Sequence, residues 1–207
     1  MLSIPQLRDE GGFLLIDLIT AAACLLIMLA AFSVMYSGVQ TRTNTLQTQA
    51  ALAAQARPML DTMAAELQSA MCNGTTQPIT SASGTQVTFT SPDRQQPYHL
   101  QQITYTLASG VLTRQLALST NTGGPPWTMG TASSTDLVQS VTNSVVFDFL
   151  SSSGTDLSPG GAAVSSANLP NIAKVTMTLV VAPPPSNGTG SLTTQTSASL
   201  RTPTCTS

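Results

Sequence analysis

Between Phe13 and Tyr36 the chain runs through 24 residues in which Asp17 is the only charged side chain. At about 1.5 Å of rise per residue, a helix over this stretch is about 36 Å long. That is enough to cross a hydrocarbon core of roughly 30 Å. An ionised group inside such a segment costs about 2.5 to 3.5 kcal/mol on insertion scales, so Asp17 calls for a compensating partner. Directly before the apolar run stand Asp9, Glu10, Gly11 and Gly12. A secretory signal places its small-residue cleavage site after the apolar stretch and discards that stretch. Here the order is reversed, and cleavage after Gly12 would retain the apolar helix.

Gly12, then Phe13, then an acid at the fifth position of the retained chain resembles the class III signal of type IV prepilins and pseudopilins. The resemblance implies a leader over residues 1–12, cut by a membrane-bound prepilin peptidase between Gly12 and Phe13, and N-methylation of the new Phe13 amine. It also implies a subunit-assembly role for Asp17, which would neutralise the amino terminus of a neighbouring subunit. The family usually has Glu there, and this chain has the shorter Asp17. Arg8 is followed by Asp9 and Glu10, so the leader also departs from the family's basic pattern. A plain signal anchor with an incidental acid is the simpler alternative.

Composition narrows the function classes. Charged residues make up 8% of the 207 residues, against a typical share of about 25%. Ser, Thr, Gln and Asn fill the deficit. The chain contains 7 Lys and Arg against 9 Asp and Glu, so no basic patch is available to hold a nucleic-acid backbone by counterion release. Cys24 lies in the apolar run, where a thiol behaves as a small hydrophobe. Cys72 and Cys205 fall in the part expected to be exported, where thiols oxidise. A Cys72 to Cys205 disulfide is the economical pairing, with two free thiols or a bond to another chain as the alternatives.

After Tyr36 the pattern stays helical. Leu46, Ala53, Leu60 and Leu67 recur every seven residues, and Ala50, Ala56, Met63, Ala70 and Met71 fill an adjacent stripe. The expected helix covers residues 13–72, membrane-spanning over 13–36 and amphipathic over 37–72, with a bend near Pro58 because proline removes a backbone donor. Asn73, Gly74 and Thr75 then end it. From there the period changes to two, and residues 86–91, 99–107, 111–118, 138–150, 172–182 and 192–201 read as strands. Ala108, Ser109 and Gly110 read as a hairpin turn. Segments 120–134, 151–168 and 183–190, rich in Gly, Ser, Thr and Pro, read as loops within one exported domain over residues 73–207.

A second resemblance rests on Ile103-x-Tyr105-x-Leu107-x-x-Gly110-x-Leu112-x-Arg114, Val145-Val146-Phe147-Asp148-Phe149, Leu169-Pro170-x-Ile172 and Ser199-Leu200-Arg201. These segments resemble the bodies of PilW-like minor pilins and GspJ-like pseudopilins. The fold implied is α+β, a pilin-like lollipop: a long N-terminal helix followed by an antiparallel β-sheet domain.

No enzyme is expected. His99 is the only histidine, so neither a His-paired nucleophile nor a multi-histidine metal site can be assembled, and no cofactor is implied. Asp148 and Asp156 flank residues 151–154, a spacing that can offer oxygen ligands to calcium and reads more simply as a polar loop. Asn73-Gly74-Thr75 and Asn187-Gly188-Thr189 match the glycan-acceptor pattern and read here as turns. The expected function is a structural subunit in the assembly, initiation or capping of a type IV pilus or a type II secretion pseudopilus. Its partners would be the prepilin peptidase, the cytoplasmic membrane and other pilin or pseudopilin subunits. It would sit in the cytoplasmic membrane as a single-pass protein and then in the filament. The alternative is a membrane-anchored exported binding domain that does not polymerise.

Overall fold

The computed structural model describes residues 11–93, 99–121, 124–183, 190–201 and 205. They form one long helix followed by an antiparallel β domain, the α+β order expected. The chain divides into two units, Met1–Leu46 and Gln47–Ser207, and helix α1, Gly11–Gln68, belongs partly to each.

In the first unit the described side chains of α1 are exposed from Ile16 to Asn44, Leu25, Leu26, Ile27, Met28 and Phe32 among them. In the second unit the helix acquires a buried face. Ala56, Leu60, Met63, Ala64 and Leu67 are all buried, following the 3.6-residue repeat. Leu46, Ala50 and Met71 of the expected stripe stay exposed.

The helix continues through Pro58. Ala54, whose carbonyl loses its usual donor, and Pro58 itself are both exposed, so water can serve that carbonyl. The helix ends at Gln68, before the expected residue 72, because the chain turns onto the sheet. The Met71 N–H donates to the Thr90 carbonyl at 2.9 Å, and the Thr90 hydroxyl donates back to the Met71 carbonyl at 2.5 Å.

The first sheet is a five-stranded meander: β1 Ile79–Ser83, β2 Gln86–Asp93, β3 His99–Ala108, β4 Val111–Leu118 and β5 Ser133–Val138, hydrogen-bonded in that order. The second has three strands, β6 Phe147–Ser151, β7 Ile172–Val181 and β8 Leu192–Ser199. Every pairing is antiparallel. The β3–β4 turn is the expected one: Ser109 and Gly110 both have positive φ, 50° and 74°, as a two-residue primed hairpin requires.

Three expectations are corrected. Residues 138–150 form no single strand. Their first residue ends β5 in one sheet and their last four lie in β6 of the other, with Asn143 in between. The Asn143 amide donates to the Thr178 carbonyl at 2.8 Å and accepts from the Val180 N–H at 2.9 Å, so a side chain stands in for main chain beside β7. The segment 120–134 is loop only up to Ala132, since Ser133 and Ser134 begin β5. Strand β1 is not among the expected strands; Ile79-Thr80-Ser81-Ala82-Ser83 has little bulk to signal one.

The sheets meet at the β1–β2 turn. The Gly84 N–H donates to the Gly161 carbonyl at 2.9 Å, and the Gly84 carbonyl accepts from Val146 at 2.7 Å and Phe147 at 3.1 Å. A Cβ on Gly84 would lie 2.5 Å from the Gly161 Cα, so only glycine permits this approach. One core results, joining the buried face of α1 to Val87, Phe89, Ile103 and Tyr105 of the first sheet and Phe147, Phe149, Val175, Met177 and Leu179 of the second.

Candidate functional site

The feature of α1 that a function must explain lies in its first unit. The helix is long and apolar enough to cross a membrane, with a mean hydropathy of 2.5 over its most apolar window, and none of that window is buried. Gly12 and Phe13 belong to the opening turns of the α1 backbone. The rest of the expected leader, residues 1–10, and the Phe13 side chain lie outside the described residues.

Asp17 follows Phe13 by four residues, one helical turn, and is exposed. Among the described residues it makes no ion pair. The hydroxyls nearby are satisfied within the helix. Thr20 donates to the Ile16 and Asp17 carbonyls, both at 3.0 Å. Ser33, Ser37, Thr41, Thr43 and Thr45 donate to carbonyls three or four residues back. Such back-bonding lets polar residues enter apolar surroundings without leaving a donor unsatisfied. Cys24 is exposed on the same stretch.

Cys72 and Cys205 are joined by a disulfide, with a Cα–Cα distance of 5.6 Å. The bond ties the chain just after α1 to the segment that follows β8.

A cluster that sequence reasoning missed lies where the helix meets the first sheet. Glu66 on α1 accepts from Arg114 on β4 in a fork, 2.7 Å from Nη2 to Oε1 and 3.3 Å from Nε to Oε2. Its Oε2 also accepts from the hydroxyl of Tyr105 on β3. The Tyr105 ring stacks on Phe89 with centroids 6.3 Å apart. Burial, then the hydrogen bond and charge of Glu66, push the Tyr105 hydroxyl far above its ordinary pKa. For Arg114 burial is the largest influence and pulls downward, but the Glu66 bond and charge together outweigh it, and its pKa is raised. Tyr105 and Arg114 therefore stay protonated across ordinary pH, and the cluster is a polar clamp between helix and sheet. The β3–β4 register sets Tyr105 opposite Arg114.

The other singled-out residues are taken up by the fold. His99 Nδ1 lies 3.2 Å from the Ser119 hydroxyl. The Asp156 carboxylate accepts from the Ser158 N–H at 2.8 Å, and Asp148 sits on β6 opposite Thr176. No group of three His, Cys, Asp or Glu able to hold a metal occurs among the described residues. The Asn73 side chain is engaged with Trp127, donating to its carbonyl at 2.9 Å and accepting from its N–H at 2.7 Å. That pairing occupies the amide nitrogen a glycan would need. Asn187 lies outside the described residues.

No family model and no curated protein matches this chain.

Proposed function

We propose that this chain is a prepilin-like structural subunit whose work is assembly, as a minor pilin that helps to initiate or cap a type IV pilus or as the corresponding pseudopilin of a type II secretion system. The observation that carries this reading is the exposed apolar surface of α1 from Ile16 onward, interrupted by the single acid Asp17 one turn after Phe13. Water is a poor surrounding for so much contiguous apolar surface, which calls for lipid or for other helices.

Both are available to an assembling subunit. In the cytoplasmic membrane the segment is a single span; in a filament it packs against the same segment of neighbours. Lipid tails and neighbouring helices are similarly apolar, so close packing and polar pairing decide between them. Thr20, Ala21, Ala22 and Ala23 allow close approach, and Asp17 pairs with the amine of an adjacent Phe13. The prepilin peptidase frees that amine by cutting after Gly12 and methylates it. A disulfide in the domain that follows fits export to an oxidising compartment.

The intact mass of protein extracted from membranes of cells with an active prepilin peptidase tests the reading. The expected mass begins at Phe13, with one added methyl group. A mature chain still beginning at Met1 refutes it and leaves the anchored, non-polymerising binding domain as the better account.

A further inference from the structure

Strand β8 is an outer strand of the second sheet, bonded to β7 on one side. The Leu200 N–H donates to the Ala173 carbonyl at 2.8 Å, and Lys174 stands opposite Ser199. Hydrogen bonding in an antiparallel pair alternates, so Leu192, Thr194, Thr196 and Ala198 direct their main-chain groups at β7. Thr193, Gln195, Ser197 and Ser199 direct theirs away from it, and among the described residues nothing receives them. The strand is eight residues long, pairs with β7 without a break in register, and contains no charge and no proline.

Natural edges are usually blunted by charge, proline, bulges or a covering element. The other outer edge, β5, carries Asp136, and its pairing with β4 shifts register between Leu112 and Thr113. The edges of β1 and β6 approach each other at Gly84. Among the described residues β8 has none of these protections.

Nor does α1 close over it. Two separate hollows form the groove beside β8. One, about 360 Å³, lies between Arg57, Leu60 and Asp61 on the helix and residues 192–196. The other, about 560 Å³, lies between Ala65, Gln68 and Ser69 and the pair Ser199 and Arg201. Their charge differs. Arg57 and Asp61 offset each other in the first, whereas Arg201 lines the second, and the ion pair formed among the described residues is the remote Arg114–Glu66.

We propose that β8 receives an extended segment of a partner protein, which adds an antiparallel strand to the second sheet and sets a carboxylate side chain against Arg201. Main-chain groups on β8 supply the affinity and the groove selects uncharged side chains elsewhere, the logic of strand addition at a sheet edge. This surface lies in the β domain, so the proposal holds whether or not the apolar helix polymerises.

The probe is an acetylated, amidated octapeptide, glutamate first and then alternating valine and threonine, titrated into the full chain in detergent and followed by amide hydrogen exchange. Protection of Thr193, Gln195, Ser197 and Ser199 is expected. A probe N-methylated at alternate amides, which cannot complete the ladder, should bind about tenfold more weakly. So should wild-type probe on Ser197→Pro, whose missing N–H points to the free side and leaves the β7 pairing intact. Replacing the probe's glutamate by glutamine should weaken binding to wild type and leave Arg201→Gln unaffected. Absence of protection at millimolar probe, equal binding of the methylated probe, or protection that grows with the concentration of the chain alone each overturns the proposal, the last because the occupant is then a second copy.

Discussion

Glu66 is the residue on which helix and sheet agree. Its carboxylate serves one donor from β3 and one from β4, and with Glu66 and Arg114 only 19% and 23% exposed, losing one partner strands the other. Glu66→Gln should therefore lower stability by about 2 to 3 kcal/mol, measured by urea unfolding at neutral pH. A loss under about 0.5 kcal/mol would mean that water replaces the carboxylate. Tyr105 adds a pH dependence. Its hydroxyl is raised far above the ordinary value, whereas the unfolded chain ionises it near pH 10. Below about pH 10 the stabilisation is complete; above it the unfolded state binds fewer protons and stability falls as pH rises. Unfolding of wild type at increasing alkaline pH should show this slope, and Tyr105→Phe should remove that part of it. Only the hairpin turn within Ala108, Ser109 and Gly110 was legible beforehand; the two-residue form it takes, which sets Tyr105 opposite Arg114, was not. Nor was Glu66, because it lies 39 residues from Tyr105 on an element whose rotation only packing fixes.

At the scale of elements, α1 is two helices in one by environment. Its second half presents a face with the 3.6-residue repeat to a core; periodicity revealed the apolar face but not whether a core or neighbouring helices cover it. Its first half is apolar all round, which composition revealed. The strand at 111–118 was legible because turn residues and alternation coincide there. The split at Asn143 was not, since the run around Val138, Val141, Val145 and Val146 reads as one apolar strand until its amide is seen bonded to β7. Asp17 remains the one position of the apolar half that neither periodicity nor composition explains. If it pairs with the Phe13 amine of a neighbour, Asp17→Ala should leave membrane insertion and cleavage after Gly12 unchanged and reduce incorporation into filaments. Asp17→Glu should incorporate at least as well as wild type. Disulfide crosslinking between cysteines introduced along the apolar helices, in chains lacking Cys24, compares the three. Equal crosslinking in all of them marks the helix as a plain anchor.

For the molecule as a whole, the pairing of Cys72 with Cys205 closes a span of 133 residues that contains both sheets. The two cysteines could be matched from sequence by compartment and position, but not the route between them. That route depends on two backbones meeting at Gly84 and Gly161, an approach that leaves no periodic trace. The bond acts on the unfolded state. In the chain-entropy account, closing a loop of this length stabilises the folded form by up to about 5 kcal/mol, and measured losses on removing native bonds run from about 2 to 5 kcal/mol. The folded core should survive the loss, because the packing of α1 against both sheets is formed by residues 56–67 and the strands and not by the sulfurs. Cys205→Ser, or wild type in reductant, should therefore keep its β-sheet circular dichroism while its urea midpoint falls by an amount equivalent to about 2 to 5 kcal/mol. An unchanged midpoint would show that the unfolded chain is already held compact by other contacts. Loss of β signal at zero urea would show that the tail after β8 is part of the core and not a tether across it.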